Sequence, residues 1–510
     1  MTAKDGNGRT GGHGTEPAPR SGSGLLAVLL TATFIVVFDT AGMVIPLPAM
    51  LDDLGGTLDL ATWAYGAFVL TFAVFLLPAV RLAGRLGHRP VFLAGMAIFT
   101  AASLACALAP SMGFLVAARA VEGVGAAMAE PAAFAMVKTA FAGAARERAT
   151  GAHRAAFAVA ALSAPFLSGL ITWGLSWKFM FWLNVLAGAA VVAAGGRLLP
   201  RSTGDEPARS LNLAGAVLGG LGVFAPAFAV VQGTRSGWGS PLIVGSFAAG
   251  AVLLVLFARN ERRAGDPFVP RGLLRSRSFA VGNLARGIGE FASLGLFFAL
   301  SHVLQVQLGH SALAAGALLT VIIVGAVIVA PVSEGLAGKV DVRLLVVPGF
   351  LLIAAGTFWV GFTSPDSGWL FFLAPLAIAG AGFGLQEDPT AAAALRDVPA
   401  DRSITGRNIS YAVYLLGITV GVAVVSGVWQ GRFAAEASAR GLPAELSSGG
   451  VSGEPAAAVT GPDAVRVREL VETTFTDAAG TALLCCVGAA VLGAAIALFL
   501  TPAKAGDAKS

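Results

Sequence analysis

One feature constrains this chain more than any other: an apolar stretch of about 20 residues, the length a helix needs to cross the hydrocarbon core of a bilayer, recurs along almost its whole length. Fourteen such stretches fall near residues 24–48, 61–81, 90–109, 113–137, 155–175, 178–197, 212–231, 241–258, 279–303, 312–332, 343–363, 369–387, 409–429 and 479–501. Neither a single soluble core nor a soluble domain on one anchor absorbs that many. Composition agrees: 56% of the 510 residues are hydrophobic and 12% charged, against roughly a quarter charged in ordinary soluble domains. The reading is an all-α membrane protein with fourteen transmembrane helices.

An even number of spans puts both termini on one side, and the Lys and Arg residues say which. Basic residues near span ends are retained in the cytoplasm. With the termini inside, 26 of the 34 Lys and Arg residues fall in inner segments, while the short outer loops carry Lys178 and Arg235. The net charge of +5 is therefore a topology signal and implies no nucleic-acid partner. The Gly-rich, polar segment 1–23 reads as a disordered cytoplasmic tail preceding a retained first span, and 503–510 as a second cytoplasmic tail. Cys106, Cys485 and Cys486 lie in apolar stretches without ligand or disulfide spacing and read as small core residues.

The chain also repeats. Leu82-Ala83-Gly84-Arg85-Leu86-Gly87-His88-Arg89 follows the second span, and Leu336-Ala337-Gly338-Lys339-Val340-Asp341-Val342-Arg343 follows the tenth. They align without a gap at the same place in two six-helix groups. The expected organisation is a six-helix bundle at 24–198, a linker with two extra helices at 199–278, and a second six-helix bundle at 279–502 containing an extracellular loop at 430–478. Paired repeats of this kind build secondary transporters, in which two bundles rock about a site near the bilayer midplane.

These residues resemble those of the major facilitator superfamily, and within it the fourteen-span drug:proton antiporter group, over residues 24–500. The first loop is similar to the family's G-x-L-a-D-R-x-G-R-R, matched by Leu82, Arg85, Gly87 and Arg89, with Val80, Gly84 and His88 where the family has Gly, Asp and Arg. In the family that Asp helps latch the cytoplasmic face, so Gly84, like Gly338 in the second repeat, implies a weakened latch in a conformational-switch loop. Phe38-Asp39-Thr40 through Leu47-Pro48 is similar to L-D-x-T-v-v-n-v-A-L-P, and Leu115, Arg119, Glu122, Gly123 and Gly125 to L-x-x-x-R-x-x-Q-G-x-G. The antiporter signature g-x-x-x-G-P-x-x-G-G is represented by Ala160, Ala164, Pro165, Ser168 and Gly169. Every replaced glycine is still small, so close helix approach is retained. Trp177, Lys178, Phe181 and Asn184 resemble W-R-w-i-F-x-x-N.

Ionisable residues at membrane depth are costly and mark functional sites by default. At 1.5 Å per residue, Asp39 lies about 21 Å from the inner end of the first helix and Arg119 about 9 Å from the outer end of the fourth. In a core about 30 Å thick these depths coincide, so the two can face each other. A carboxylate that holds an arginine in one state and loses it in another has a state-dependent proton affinity, as proton coupling requires; a permanent ion pair joining two helices is the plainer alternative. Glu122, three residues on, shares the face of Arg119 and can neutralise it. Glu290 lies near the midplane of the ninth helix, with Arg286 four residues earlier, and reads as a local pair or a second proton site. Glu130 precedes Pro131, deeper toward the cytoplasm. Glu387 and Asp388, before Pro389, read as interfacial or capping residues at the end of the twelfth helix. Asp39, Arg119 and Glu290 are thus the proton-coupling candidates, and Glu122, Glu130, Glu387 and Asp388 the further substrate or proton candidates. Trp63, Trp177, Trp182, Trp238, Trp359 and Trp369 read as interfacial anchors.

No nucleotide-binding G-x-x-x-x-G-K-[ST] run, metal-ligand spacing or nucleophile elbow is present in the sequence, so the expectation is a non-enzyme without cofactor, driven by the proton gradient. The resemblance implies export of amphipathic drugs, antibiotics or secondary metabolites across a bacterial plasma membrane, with protons and the lipid bilayer as its other partners. The alternatives are an importer of the same fold or a nontransporting relative. Substrate identity and oligomeric state are not legible.

Overall fold

The structure is a computed structural model that describes residues 22–201, 212–265, 267–268, 270–364, 367–399, 402–442 and 464–500. The expected tails fall, apart from Gly22 and Ser23, outside the described residues. The described residues form helices α1 (Gly22–Gly42), α2 (Leu47–Leu54), α3 (Leu58–Leu86), α4 (His88–Ala107), α5 (Met112–Ala140), α6 (Gly143–Gly174), α7 (Lys178–Leu198), α8 (Leu213–Ser236), α9 (Pro241–Arg263), α10 (Arg271–Arg275), α11 (Arg277–His302), α12 (Ala312–Leu336), α13 (Arg343–Val360), α14 (Trp369–Leu395), α15 (Ser403–Ala439) and α16 (Ala464–Ala497). A π-helical turn, Val303–Gln307, extends α11. Fourteen helices among the described residues are long and apolar enough to cross a membrane; α2 and α10 are the short remainder. The chain is therefore a multi-pass membrane protein. Its proximal face is taken below as the one from which α1 starts, and its distal face as the opposite one.

Helices α1 and α3–α7 pack into one bundle and α11–α16 into another, joined along two seams, α3 on α15 and α6 on α12. Helix α8 covers the first seam, with Phe224 and Phe228 against Trp63 at ring separations of 6.2 and 6.0 Å. Helix α9 packs on α8 and leaves Val244, Phe247, Val252 and Leu254 exposed, a surface suited to lipid. Small residues permit the tightest approaches. A Cβ on Gly169 would stand 2.4 Å from the Ala312 carbonyl oxygen, and one on Gly316 2.3 Å from that of Pro165, so α6 and α12 touch backbone to backbone. On the other flank of α6, Ala164 and Ser168 pack against Gly42 of α1, and Ser168 Oγ donates to the Gly42 carbonyl at 2.7 Å. The small residues of the antiporter segment thus serve two interfaces at once. In α5, Gly123 meets the backbone of α3 and Gly125 that of α4.

Five expectations need correction. The first span does not run to residue 48: α1 ends at Gly42 and the chain restarts as α2. Pro46 and Pro48 donate no hydrogen bond four residues back; the Gly42 carbonyl accepts instead from the Ile45 N–H (3.2 Å) and Ser168 Oγ (2.7 Å), and the Val44 carbonyl from Ser301 Oγ (3.2 Å). Leu82, Gly84 and Arg85 are not loop residues; α3 continues through them to Leu86, and the turn is made by Gly87 at φ 96°. In the second repeat α12 stops at Leu336 and the turn passes through Gly338 at φ 76°, so two aligned segments turn at different glycines. The 430–478 segment is helical at both ends, as α15 reaches Ala439 and α16 starts at Ala464. These extensions are held by Trp429 and Phe433 against Phe475 and by Arg440 to Asp477 at 2.6 Å. Glu387 and Asp388 do not cap a helix, because α14 continues to Leu395. There Pro389 frees the Leu385 carbonyl, which accepts from Ser333 Oγ of α12 at 3.3 Å. Last, Trp63 and Trp177 are buried, at 8% and 3% exposure, and belong to the core rather than a lipid interface, whereas Trp182, Trp238, Trp359 and Trp369 are exposed.

Candidate functional site

The first bundle is built around a completely buried charge network. Asp39 of α1 and Arg119 and Glu122 of α5 are each 0% exposed. A single nitrogen, Arg119 Nη1, donates to Asp39 Oδ2 at 2.6 Å and to Glu122 Oε2 at 2.7 Å. Arg119 Nε donates to the Ala64 carbonyl at 3.2 Å, and the guanidinium lies 4.1 Å from the centre of the Phe68 ring. Each acid has a second partner. Asn184 Nδ2 of α7 donates to Asp39 Oδ1 at 2.9 Å, and Ser103 Oγ of α4 to Glu122 Oε1 at 2.5 Å. Five helices therefore converge on two carboxylates and one arginine. Such a network is stable only when its hydrogen bonds are made, and Arg119 Nη2 is the one atom of that guanidinium left without a partner.

The second bundle carries the same inventory in a different arrangement. Glu290 of α11 is 6% exposed, yet its carboxylate makes no hydrogen bond or ion pair among the described residues. Arg286 is not paired with it; its Nη1 donates to Ser410 Oγ of α15 at 3.0 Å and its guanidinium lies 5.1 Å from the Tyr414 ring centre. Glu387 is exposed, and its charge acts on Glu290 while that of Arg286 acts on both acids. Adjacent helix positions do not share a face, so Asp388, also exposed, is directed differently.

Nearer the proximal face, Glu130 is 3% exposed and directly precedes Pro131. Its electrostatic partner is Arg407 of α15, in the other bundle. Arg407 in turn lies 3.3 Å from the centre of the Phe134 ring of α5, a cation–π contact across the bundle interface. Of the switch-loop residues, Arg89 Nη2 donates to the Gly196 carbonyl at the end of α7 (2.6 Å). Toward the distal face the bundles are joined by Thr62 to Ser426 (2.6 Å), Ser301 to the Val44 carbonyl (3.2 Å) and Gln305 to the Ile45 carbonyl (3.0 Å). There too Asp53 of α2 bonds Lys178 at 2.8 Å and Trp177 Nε1 at 3.1 Å. The Lys178 hydrogen bond holds the Asp53 carboxyl below the usual carboxylate range, against the opposing effect of partial burial.

The structure thus joins Asp39, Arg119 and Glu122 directly, leaves Glu290 and Glu387 linked only through the reach of their charges, and leaves Glu130 apart. Tyr65 is missed by a reading that looks for charge. This phenol of α3 is 0% exposed, its hydroxyl has no partner, and it lies within the fields of Arg119, Asp39 and Glu290 together. Asn283, Ser410, Tyr411 and Tyr414 are likewise neutral at sequence level and gain meaning only from their neighbours. Among the described residues no cluster of three His, Cys, Asp or Glu side chains could hold a metal ion.

Comparison with known proteins agrees with this architecture. The family model described as Major Facilitator Superfamily matches residues 29–426. The cephamycin export protein CmcT of Amycolatopsis lactamdurans is 34% identical over 433 residues, covering 83% of this chain and 87% of that protein. The puromycin resistance protein pur8 of Streptomyces alboniger is 33% identical over 443 residues, covering 86% and 88%. Among solved structures, an inward-facing, unoccupied bacterial homologue of the human lysosomal transporter Spinster superposes with a TM-score of 0.67 at 15% identity, covering 95% of this chain and 98% of that one, a likeness of fold. Two seamed six-helix bundles, a buried Asp–Arg–Glu centre and the family match over most of the chain lead to one conclusion: this protein belongs to the Major Facilitator Superfamily.

Proposed function

We propose that this chain exports amphipathic small molecules, of the antibiotic or secondary-metabolite kind, from a bacterial cell in exchange for protons, with its proximal face in the cytoplasm. The carrying observation is that one nitrogen of Arg119 holds two buried carboxylates, Asp39 and Glu122, at 2.6 and 2.7 Å. The two bonds differ in what they join: Asp39 ties α1 to α5, whereas Glu122 lies on α5 itself. A proton taken up by Asp39 cancels its charge and releases α1, and Glu122 still compensates the arginine. Breaking a buried pair ordinarily costs about 3–5 kcal/mol because one charge is stranded; the second acid avoids that cost. Proton occupancy then selects whether α1 is tied to α5, which is a way to bias the rocking of one bundle against the other.

The names of the relatives support the direction of transport, since they are export and resistance proteins. The 26 Lys and Arg residues of the inner segments support the orientation. The driving force suffices: one proton crossing about 120 mV with half a pH unit releases roughly 3.5 kcal/mol, a several-hundred-fold substrate gradient. The test is efflux of a panel of amphipathic dyes and antibiotics from energised cells, with and without an uncoupler, comparing wild type with Asp39→Asn at equal membrane expression. Uncoupler-sensitive efflux that disappears in the variant is expected. Energised accumulation instead of efflux would establish the importer reading, and undiminished efflux in Asp39→Asn would remove that residue from the coupling.

A further inference from the structure

We propose that the outer face of α9 and the arginines at its proximal end form a binding site for an anionic phospholipid, with the acyl chains along the helix and the phosphate held between Arg259 and Arg263. Val244, Ala248, Val252, Val255, Arg259 and Arg263 follow one another at spacings of three and four and so lie in one stripe of the helix. All of them are exposed. From Val244 to Arg259 the stripe rises about 22 Å at 1.5 Å per residue, more than the roughly 15 Å of one hydrocarbon leaflet. A single helix face therefore runs from acyl-chain depth to headgroup depth.

Basic residues at the proximal end of a span are ordinary; what sets α9 apart is how its polar residues are sorted. Asn260 and Glu261 turn inward to the start of α8. Asn260 Nδ2 donates to Asn212 Oδ1 at 2.8 Å, and Asn212 Nδ2 donates to Glu261 Oε1 at 3.0 Å. Glu261, the one acid of α9, is 8% exposed and so is spent on the helix hairpin. Arg259 and Arg263 point the other way and make no hydrogen bond or ion pair among the described residues, with Arg262 exposed beside them. Two guanidiniums one turn apart repel each other until an anion lies between them, and each can give a phosphate two parallel N–H···O bonds. A zwitterionic headgroup brings its own cation to that place, whereas an anionic one does not. A soluble anion would use the arginines alone; a lipid uses the apolar stripe as well.

The site stands at a junction of the fold. Helix α9 packs on α8, which covers the seam between α3 and α15. Beyond Arg263 the chain reaches both bundles: Phe268 lies beneath the Arg81 guanidinium of α3, 3.7 Å from ring centre to carbon, and Leu273 packs with Phe279 and Ile409 of the second bundle and Leu77 of the first. A lipid held by Arg259 and Arg263 fixes the start of the segment that joins the two halves. Such a site does not depend on which way substrate moves.

The test measures lipid binding and stands apart from transport. Purified, delipidated full-length protein in neutral detergent is titrated with phosphatidylglycerol and, in parallel, with phosphatidylcholine of the same acyl chains. Bound lipid is counted by native mass spectrometry, and the ratio of the two affinities is read. Wild type should favour phosphatidylglycerol by about tenfold or more. Arg259→Gln and Arg263→Gln should each lower that ratio about fivefold, and the double variant should abolish the preference. Lys339→Gln, an exposed cation in the turn after α12, should leave it unchanged. A wild type without preference, or a double variant that keeps it, would overturn the site. An equal loss in Lys339→Gln would overturn it too, by showing a diffuse basic belt. Inorganic phosphate that displaces the lipid as well as phosphatidylglycerol does, at equal concentration and matched ionic strength, would overturn the lipid assignment. Should the double variant not fold, the single variants decide by the same ratio.

Discussion

In each bundle two carboxylates and one arginine lie within one another's fields, and the two sets are held in opposite ways. In the first, Asp39 and Glu122 share Arg119 Nη1, Asn184 and Ser103 serve the outer lone pairs, and nothing is exposed. In the second, Arg286 is turned to Ser410, Glu290 has no hydrogen bond or ion pair among the described residues, and Glu387 is exposed. A closed network can do little except lose or gain a proton, whereas an open one has room for a ligand's charge. Matching inventories in repeated bundles therefore need not mean matching roles.

The largest effect that would break this contrast belongs to the closed network. Asp39→Asn should reduce uphill, proton-driven efflux by about a hundredfold or more, because position 39 then takes up no proton and the roughly 3.5 kcal/mol that one proton supplies is lost, as measured by initial efflux rates from energised cells. Glu122→Gln should slow turnover by about tenfold at saturating substrate, because Arg119 then has no second acid when Asp39 is protonated; a rate unchanged at all pH values would show that Arg119 needs no second acid. Next comes the seam. Gly169→Leu places a side chain where a Cβ already stands 2.4 Å from a carbonyl oxygen, so it should destabilise the distally closed state by about 1–3 kcal/mol, visible as increased labelling of a cysteine introduced near Thr62. Removing the Thr62–Ser426 hydrogen bond with Thr62→Val and Ser426→Ala should cost about 1 kcal/mol in the same assay.

The smallest effect is at the distal loop. Asp53 has its carboxyl lowered by the hydrogen bond from Lys178. Its contribution to stability is thus fully present above the ordinary carboxylate pKa and is lost as pH falls through the lowered one. Because both side chains are more than a third exposed, solvent screening keeps that contribution under about 1 kcal/mol. Melting curves of Asp53→Asn and wild type should therefore converge at acid pH and differ only slightly at neutral pH.

How much of this was readable in advance differs along the same lines. Spans and bundles are legible because hydrophobic length is a local property, and even α9, largely exposed, is marked by it. The meeting of Asp39 and Arg119 is legible because helix rise converts sequence position into depth. What fails is whatever a partner elsewhere decides. Pro389 reads as the end of α14, but a serine on α12 takes the carbonyl it frees, and the helix continues past Glu387. The same device, used at Pro46 and Pro48 with Ser168 and Ser301, produces a break in α1 that hydropathy passes over. Arg286 looks like the partner of Glu290 by spacing, yet Ser410 and Tyr414, more than a hundred residues away in sequence, compete for it successfully. Tyr65 carries no charge and so has no signal at all until the fold sets it among three charged groups.

The most direct measurement of the central claim, that a proton on Asp39 frees α1 from Arg119, uses proteoliposomes containing either wild type or Asp39→Asn, with an imposed pH gradient and a labelled substrate. Asn at position 39 imitates the protonated acid, so the variant should still equilibrate substrate across the membrane and exchange it, but should build no gradient when the pH difference is applied, whereas wild type concentrates substrate. If Asp39→Asn accumulates substrate against its gradient as wild type does, the Asp39–Arg119 bond is a structural pair and the coupling lies elsewhere.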